Sequence, residues 1–342
     1  VSHVGYIKRT LLSEFKAQSR GGMGSKGTGT RDQDFIEHMY FAKMHDTMMF
    51  FTKMGRCFWY KVYDIPEGNK QSKGRAIQNI LNIEKEDQVK AFITVRGLND
   101  PDYTNNHYIV MATKNGIIKK SLLTEYSHPR QKGIIAITVK DGDELLKAIL
   151  TDGNNHLMLA TLKGRANRFH ESQIRCIGRT GAGVRCLTLD GPDDQVVGFI
   201  GLGEEEQSNI FVLSANGFGK RSVVDDYRIT KRGGKGVLNF RITDKTGPVI
   251  AIDKLTDDDD LMLITRSGIT IRLAASEIRV AGRATQGVKL INLTKRNDTL
   301  ASGTVVPHDD EEEHEHEHHH EDEEEHEHHS HEEEHEEHHH GH

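Results

Sequence analysis

The sequence predicts an all-β fold in which six propeller-like blades, residues 1–308, precede a disordered acidic and histidine-rich tail, residues 309–342. Three observations predict this organisation. A glycine-marked segment recurs six times at steps of 48 to 61 residues, each copy has the pattern of antiparallel strands, and the composition changes abruptly at residue 309.

The repeated segment is an apolar run, then Thr or Ser, two further residues and a glycine, with a base three or four residues later in most copies. Dipeptides such as Asn-Gly at the end of the run favour a tight turn, so each copy predicts a β-hairpin. The runs are short and rich in β-branched residues, which disfavours a helical solenoid. The glycines are Gly5, which marks a truncated copy, and Gly55, Gly116, Gly164, Gly217 and Gly268.

A second glycine follows each hairpin after a polar stretch, and Lys or Gln precedes it in most copies. A short strand comes next, as in residues 134–139, 184–189 and 288–293, and several copies then have an acidic turn. Four strands in about 50 residues, repeated radially, are typical of a propeller. We therefore predict six blades. The second glycines are Gly74, Gly133, Gly183, Gly236 and Gly287.

The charge of the chain is divided between its two parts. Residues 1–308 hold all 45 Lys and Arg and carry a net charge of +11, whereas the tail holds 18 acids and no Lys or Arg. The tail has no apolar side chain to bury, which predicts disorder. No apolar run is long enough to span a bilayer, and no apolar core of a secretory signal opens the chain, so we expect no membrane association.

Bases fall at an equivalent position in five of the six copies, four residues after the hairpin glycine. They are Arg9, Lys120, Arg168, Arg221 and Arg272, and Trp59 takes this place in the remaining copy. In a radial array these side chains would form a positive belt for a polyanion, with phosphate contacts that ignore base sequence. The alternative is a set of solubilising residues at strand ends. For Trp59, packing between blades competes with a contact to DNA.

Two glycine-rich basic loops add to this pattern, residues 18–31 and residues 230–236. Glycine lets backbone N–H groups approach a phosphate closely. A single loop of this kind is also typical of flexible connections, but two of them in register with the repeat favour anion binding.

The six copies and the loop 18–24 resemble the C-terminal domain of the DNA gyrase A subunit, over all of residues 1–308. The marker of that family is the box Gln-Arg-Arg-Gly-Gly-Arg/Lys-Gly, and here Ser19 and Met23 replace two of its bases. Residues 34–39 and 61–66 also resemble the first two blades of the family. The topoisomerase IV A subunit shares the fold but lacks an intact box, and it is the alternative family.

The resemblance implies a β-pinwheel that bends double-stranded DNA around its rim and supports ATP-dependent negative supercoiling. It also implies two kinds of partner, the gyrase B subunit with the A-subunit cleavage core, in a heterotetramer of two A and two B subunits. ATP and Mg²⁺ would bind elsewhere in the holoenzyme, a type II topoisomerase, because this chain shows no catalytic motif and no cofactor site. The residues predicted to contact DNA are Arg9, Gln18, Arg20, Gly21, Gly22, Gly24, Lys26, Lys73, Lys119, Lys120, Lys132, Arg168, Arg179, Lys220, Arg221, Lys231, Arg232, Lys235, Arg272 and Arg283.

The tail allows three interpretations. As a tethered polyanion it would compete with DNA for the rim. Its histidine clusters would suit Ni²⁺, Cu²⁺ or Zn²⁺, with candidate ligands among His318, His319, His320, His338, His339 and His340. It would otherwise be a solvated segment that aids solubility.

Cysteine usage points to a reducing compartment. Cys57, Cys176 and Cys186 are an odd number without a C-x-x-C pair, so we expect reduced and mostly buried thiols, and a zinc site on the last two is disfavoured. We expect a cytoplasmic, nucleoid-associated protein. The competing functions are a propeller-like interaction scaffold with a metal-binding tail and a metal-buffering protein.

Overall fold

The repeated hairpins organise the fold. The structure is a computed structural model, and it describes residues 1–2, 4–11, 25–26, 38, 40, 42–68, 72–295 and 297–306. Its strands are β1 Tyr6–Ile7, β2 Ser25–Lys26, β3 Thr47–Thr52, β4 Arg56–Lys61, β5 Arg75–Ala76, β6 Val89–Val95, β7 Tyr108–Thr113, β8 Ile117–Leu122, β9 Ile134–Ile135, β10 Leu145–Thr151, β11 His156–Thr161, β12 Arg165–His170, β13 Val184–Arg185, β14 Val196–Leu202, β15 Asn209–Ser214, β16 Phe218–Val223, β17 Val237–Leu238, β18 Val249–Leu255, β19 Asp260–Thr265, β20 Ile269–Ala274, β21 Val288–Lys289 and β22 Leu300–Val306.

Helices are short in this part of the chain. Two single-turn α-helices, α1 Ile77–Ile80 and α2 Pro101–Thr104, lie in connections between strands. A 3₁₀ turn follows the second strand of each of five hairpins: Val62–Asp64, Leu123–Tyr126, Glu171–Gln173, Val224–Asp226 and Ala275–Glu277. The all-β, propeller-like class predicted from the repeat is confirmed.

The strands form five four-stranded antiparallel sheets, which we call blades. Each blade has a hairpin at its centre, and the orders are β6-β3-β4-β9, β10-β7-β8-β13, β14-β11-β12-β17, β18-β15-β16-β21 and β22-β19-β20-β2. The two short strands β1 and β5 pair by themselves. The prediction of six blades is therefore wrong for the described residues. The described part of the first copy forms the two-residue strands β1 and β2, which pair with β5 and β20, and no hairpin of its own.

Each blade takes its fourth strand from the next repeat along the chain. For example, β9 follows the hairpin β7-β8 in sequence but pairs with β4 of the preceding blade. The series closes on itself, because β2 from the first repeat pairs with β20 in the last blade, with Ser25 opposite Thr270. We call the segments that lead into the donated strands β5, β9, β13, β17 and β21, and the strands themselves, the exchange loops: residues 72–76, 130–135, 178–185, 231–238 and 282–289. The first of these loops pairs with β1 and the other four each complete a blade.

The Thr-x-x-Gly part of the repeat builds the hairpin turn. Gly116 has a φ of 88°, a conformation that other L residues rarely adopt, and its N–H donates to the Thr113 carbonyl. The Thr113 hydroxyl is buried and accepts a hydrogen bond of 3.1 Å from the Ile117 N–H on the returning strand. The same bond recurs in the other four hairpins, at Thr52, Thr161, Ser214 and Thr265, with lengths from 3.0 to 3.3 Å.

The second glycine of the repeat allows the donated strand to approach its neighbour. Gly236 has a φ of 78°, and a Cβ atom on it would lie 2.2 Å from the backbone oxygen of Ala166. The strands that follow are shorter than predicted, since only residues 134–135, 184–185 and 288–289 pair. After two residues the chain leaves the ladder, as when the Ala136 and Ile137 N–H groups both turn to the Gly55 carbonyl.

The core lies between the blades. The first strand of each hairpin is buried along almost its whole length, because neighbouring blades cover both of its faces. Strands β6, β10, β14, β18 and β22 contact one another in succession, so these edges converge. The donated strand is at the opposite edge of each sheet. The exchange loops therefore follow the outward edge of the blades.

The chain divides into two units, Val1–Val306 and Pro307–His342, each with its contacts mainly within itself. The tail, with its predicted disorder and its histidine sites, lies outside the described residues. Across the part of the chain that the structure covers, no helix has both the length and the apolar character that crossing a membrane requires.

Candidate nucleic-acid interface

The predicted belt of bases lies against the neighbouring blade and is not a free rim. Lys120 and Arg221 are buried, and Arg9, Arg168 and Arg272 are half-buried. The prediction of an exposed belt is therefore wrong for the first two residues. Burial follows from their position in the second hairpin strand, which the 3₁₀ turn of the next repeat covers.

These side chains connect one repeat to the 3₁₀ turn of the next repeat. Arg9 Nε donates to the Ile65 carbonyl at 2.8 Å, and Arg221 Nε to the Ile278 carbonyl at 2.6 Å. Trp59, for which packing between blades was one of two interpretations, makes the same link from its Nε1 to the Tyr126 carbonyl at 3.0 Å. Its packing between blades is confirmed.

The other three members complete this set of contacts. Arg168 Nη1 donates to the Tyr227 and Val224 carbonyls at 2.9 and 3.2 Å. Lys120 forms an ion pair of 3.1 Å with Glu171, which has no exposed surface. Arg272, in the last blade, pairs within its own hairpin, with its Nε 2.8 Å from an Asp260 carboxylate oxygen.

Two further predicted contact residues, Lys119 and Lys220, are core residues with 0% and 1% of their surface exposed. Phosphate contact is therefore wrong for both as the structure places them. Each occupies the third position after its hairpin glycine and points inward, where the ammonium is surrounded by oxygen atoms. Desolvation by burial lowers the pKa of both side chains to about 7.

The exchange loops carry the predicted bases that are accessible to solvent. Lys73, Lys132, Lys231 and Lys235 are exposed and stand just before a donated strand. These loops end in short strands at the edges of their sheets, so the ammonium groups add positive charge to the surface there. Long cationic side chains on such a surface suit a polyanion better than a small anion, since no single cavity encloses them.

Three predicted arginines join neighbouring exchange loops. Arg283 Nη1 donates to the Leu238 carbonyl at 2.8 Å, and Arg232 Nη1 to the Arg185 carbonyl at 2.5 Å. Arg179 makes the same contact to the Ile135 carbonyl. Each half-buried guanidinium thus spans from its own loop to the donated strand of the loop before it. One donor of the fork is used in each case, and an arginine has five.

Further exposed bases in these loops were not predicted from the sequence. Arg75, Arg130, Arg185 and Lys289 lie within five residues of a second glycine. A second set, Arg175, Arg228 and Arg279, follows the buried residue after a 3₁₀ turn. Proximity to the second glycine is the sequence signal that the first set shares, although its members stand at different positions relative to that glycine.

The box residues Gln18, Arg20, Gly21, Gly22 and Gly24 lie outside the described residues, and only the backbone of Lys26 is described. That backbone pairs with Ile269, as part of the strand that the first repeat donates to the last blade. The box therefore precedes a donated strand, in the sequence position that the exchange loops occupy in the other repeats.

The three cysteines are the remaining candidates for reactive or metal-binding groups. Cys57 and Cys186 are buried and Cys176 is exposed, and all three are free thiols. Burial raises the pKa of the Cys186 thiol to about 12 and that of Cys57 well above its ordinary value, so neither is a reactive thiolate. Within the described ranges, no group of three His, Cys, Asp or Glu side chains could hold a metal ion.

A family model described as "DNA gyrase C-terminal domain, beta-propeller" matches residues 1–43, 46–96, 107–152, 155–200, 208–258 and 259–307, in step with the repeats. The chain belongs to the DNA gyrase C-terminal domain family.

Curated relatives agree with this assignment. The DNA gyrase A subunit of Salmonella typhimurium is 39% identical over 313 residues, which cover 91% of this chain and 35% of the relative. The DNA gyrase A subunit of Staphylococcus epidermidis is 39% identical over 293 residues, which cover 86% of this chain and 32% of the relative. The chain thus spans about a third of the length of the gyrase A subunits that it matches.

Two solved structures share the fold. A DNA gyrase A C-terminal domain superposes with a TM-score of 0.79 at 23% identity, over 90% of this chain and 98% of the other. The C-terminal domain of a DNA topoisomerase IV superposes with a TM-score of 0.70 at 24% identity, over 90% of this chain and 91% of the other.

Proposed function

We propose that this chain is the DNA-wrapping part of a gyrase A subunit, in which the exchange loops hold the duplex along the outward edge of the blades. The observation that carries the proposal is that each of the five exchange loops holds at least one exposed base: Lys73 and Arg75, Arg130 and Lys132, Arg185, Lys231 and Lys235, and Lys289. Contacts of this kind reach phosphates and not base edges, so the binding is indifferent to sequence.

The bending of DNA explains why the bases recur around an edge. Curving a duplex over 20–30 base pairs costs roughly 1–6 kcal/mol. Contacts with a straight surface would favour a straight duplex and would not offset this bending energy. Bases spaced along an arc each neutralise a phosphate only when the duplex follows that arc. The released counterions and the added contacts offset the elastic cost.

The accessible residues divide by role in this proposal. Lys73, Lys132, Lys231 and Lys235 contact phosphates directly, and the half-buried Arg179, Arg232 and Arg283 contact them with the donors that their loop-to-loop bonds leave. The box of the first repeat, with Arg20 and Lys26, would supply the sixth contact. Lys119, Lys120, Lys220 and Arg221 support the blades from within.

The whole gyrase A subunit gives the activity its context. The wrapped segment would pass to the A-subunit cleavage core, and the B subunit would use ATP and Mg²⁺ to drive negative supercoiling in a heterotetramer of two A and two B subunits. This chain supplies binding and curvature, with no catalytic residue. We propose a cytoplasmic, nucleoid-associated location, which follows from DNA as the partner. The 39% identity to gyrase A subunits favours gyrase over topoisomerase IV.

A topological assay with the full 342-residue chain tests the proposal. A plasmid relaxed by a nicking-closing enzyme in the presence of the chain should show a shift in linking number that grows with protein concentration. The logarithm of the binding constant should fall with the logarithm of salt concentration with a slope of roughly −0.9 per phosphate contacted, so several contacts give a steep slope. A shift of zero with a flat salt dependence would instead indicate an interaction scaffold. Metal uptake without DNA binding would indicate a metal buffer.

A further inference from the structure

The buried ammonium of Lys220 holds an exchange loop by its backbone. Its Nζ lies 3.0 Å from the Gly282 carbonyl oxygen and 2.9 Å from that of Thr285, and it also donates to the Arg283 carbonyl. An ammonium has three N–H donors and no acceptor, and three carbonyl oxygens are an equal match. All three belong to the exchange loop 282–289, which the next repeat supplies.

Lys119 makes the equivalent arrangement two blades earlier. Its Nζ donates to the carbonyl of Arg179, in the exchange loop 178–185, and to the carbonyl of Ala136. The Tyr126 hydroxyl, 3.3 Å away, is its third partner and itself donates to the Ala136 carbonyl at 2.9 Å. The three N–H donors of the ammonium thereby face three oxygen atoms, as burial requires.

The same register serves the same purpose in other repeats. Asn167 is buried and its Nδ2 donates to the Lys231 carbonyl at 3.3 Å and to the Cys186 carbonyl at 3.2 Å. Lys8 Nζ donates to the Ser72 carbonyl at 2.6 Å. Phe58 and the buried Ile271 occupy the remaining places. The fold therefore accepts a lysine, an asparagine or an apolar residue at this position.

We propose that Lys119 and Lys220 are positioning residues that fix the backbone of the exchange loops 178–185 and 282–289, and thereby the direction in which those loops present bases to DNA. This inference rests on the proposed function. Neither lysine touches a phosphate, since both are enclosed by the blades. Each acts through the loop whose carbonyls it binds, and Arg179 and Arg283 each contribute one of those carbonyls as well as a guanidinium on the outer surface.

Energetics favour a specific role over a general one. A buried ammonium loses its hydration at a large free-energy cost that an apolar residue at the same place does not have, and Ile271 shows that the fold accommodates an apolar residue there. The cation therefore contributes what an apolar residue cannot, which is a fixed backbone in a glycine-containing loop. Loops of this kind are otherwise among the least ordered parts of a domain.

The test compares two variants of Lys220 that remove the same charge. Lys220→Asn keeps an N–H donor, as Asn167 does at the equivalent position of another repeat. Lys220→Ile introduces the apolar side chain that Ile271 has at the equivalent position of the last blade. Hydrogen exchange of residues 282–289 in the DNA-free full chain reports loop order. Linking-number shift and the salt slope of plasmid binding report wrapping. Lys119→Asn and Lys119→Ile repeat the comparison for residues 178–185.

We expect Lys220→Ile to raise exchange rates in residues 282–289 at least tenfold, to lower the salt slope by about one phosphate contact and to reduce the linking-number shift. In Lys220→Asn the exchange rates, the salt slope and the linking-number shift should all stay close to those of the unaltered chain. Equal losses of loop order and wrapping in both variants would show that only the charge matters, which contradicts a role in holding the backbone. Exchange rates or a linking-number shift in Lys220→Ile equal to those of the unaltered chain would also overturn the inference. If the unaltered chain gives no linking-number shift, the proposed function fails, and the exchange comparison still decides whether the lysine orders the loop.

Discussion

Arg283 and Leu238 belong to exchange loops of neighbouring blades, and the Arg283 guanidinium donates a hydrogen bond of 2.8 Å to the Leu238 backbone carbonyl. Equivalent bonds run from Arg232 to Arg185 and from Arg179 to Ile135. Successive loops are thus connected at the surface where we place the duplex. The spacing between neighbouring phosphate contacts is set by these bonds as well as by the blades.

Replacing Arg283 by lysine should separate charge from geometry. Arg283→Lys keeps the positive charge, so the salt slope of DNA binding should stay near that of the unaltered chain. A lysine lacks the planar fork, so its hold on the Leu238 carbonyl is weaker and the linking-number shift should fall. Arg283→Met should reduce both. Lys140→Met, in an acidic turn away from the exchange loops, is the control and should change neither. A lysine variant that wraps like the unaltered chain would contradict this prediction.

Strand exchange should be sensitive to a single methyl group at Gly236. Gly236→Ala combines a positive φ with a Cβ atom 2.2 Å from the Ala166 oxygen, so the donated strand β17 must move away from β12. Gly233→Ala, in the same loop, has a φ of 92° and meets no atom within 4 Å. Urea unfolding should show a loss of about 1–2 kcal/mol for Gly233→Ala and a larger loss for Gly236→Ala. Equal losses would mean that the close approach of the strands does not matter.

The buried pair of Lys120 and Glu171 should be strongly coupled. Glu171 accepts hydrogen bonds from the Asn155 N–H at 2.8 Å and the Thr151 hydroxyl at 3.0 Å in addition to the lysine. Glu171→Gln leaves the Lys120 ammonium buried without a counter-charge, which should lower the free energy of unfolding by about 3–5 kcal/mol.

Two comparisons check that this loss comes from an uncompensated charge. The double variant Lys120→Met with Glu171→Gln should recover part of the stability, because no charge is then left in the blade contact. Asp193→Asn, at an exposed ion pair with Lys163, should have little effect. A double variant as unstable as the sum of the two single changes would show that the pair is not coupled.

The pH dependence of stability should carry a contribution from Lys119 and Lys220. Burial lowers their pKa to about 7 in the folded chain, against an ordinary value of 10.5. Between these values the unfolded chain binds more protons than the folded chain, so the free energy of unfolding rises as pH increases from 7 towards 10.5. Below pH 7 both states are protonated, and this contribution is at its least favourable.

The difference between two stability curves isolates this effect. The free energy of unfolding of Lys220→Ile, measured by urea from pH 6 to 10, should rise less steeply than that of the unaltered chain across the same window. The exposed Lys235→Ile serves as the control and should leave the slope unchanged. Parallel curves for the chain with and without Lys220 would argue against a lowered pKa.

Removal of residues 309–342 should strengthen DNA binding at low salt. The tail carries 18 acids, and as a tethered polyanion it competes with DNA for the exchange loops at a high effective concentration. A gain of several-fold in affinity at 50 mM salt should shrink at 200 mM, because both interactions are screened. A neutral tail of equal length is the control. Unchanged affinity would exclude the competition.

The sequence predicted the repeat, the hairpins and the outward position of several bases, because these depend on local signals. Asn115 and Gly116 form a turn wherever they stand, and Lys132 before Gly133 sits in a polar loop. The resemblance of the repeat and the box to a known family added the β-pinwheel variant of the propeller fold. In each of these cases a few neighbouring residues decide the outcome.

The contacts between repeats could not be read in the same way. Lys119 and Lys120 are adjacent and equally charged, yet one binds carbonyls of an exchange loop and the other pairs with Glu171. Adjacent residues of a strand point to opposite faces, and here one face meets the exchange loop of the next repeat and the other meets its 3₁₀ turn, both about 50 residues away in sequence. Bases at a repeated position in the sequence share the same surroundings in the fold. For the bases four residues after the hairpin glycine, those surroundings are mostly the contact with the next blade and not the solvent.

The pairing of β2 with β20 has a consequence for how the chain is made. Thr270 is synthesised long after its partner Ser25, and at roughly 5–20 residues per second the interval is on the order of tens of seconds. Throughout that interval the first repeat has no acceptor and the blades can only stack as an open series. This pairing therefore joins the first repeat of the body to its last blade, and the rate of translation between the two sets how long the pair stays unformed.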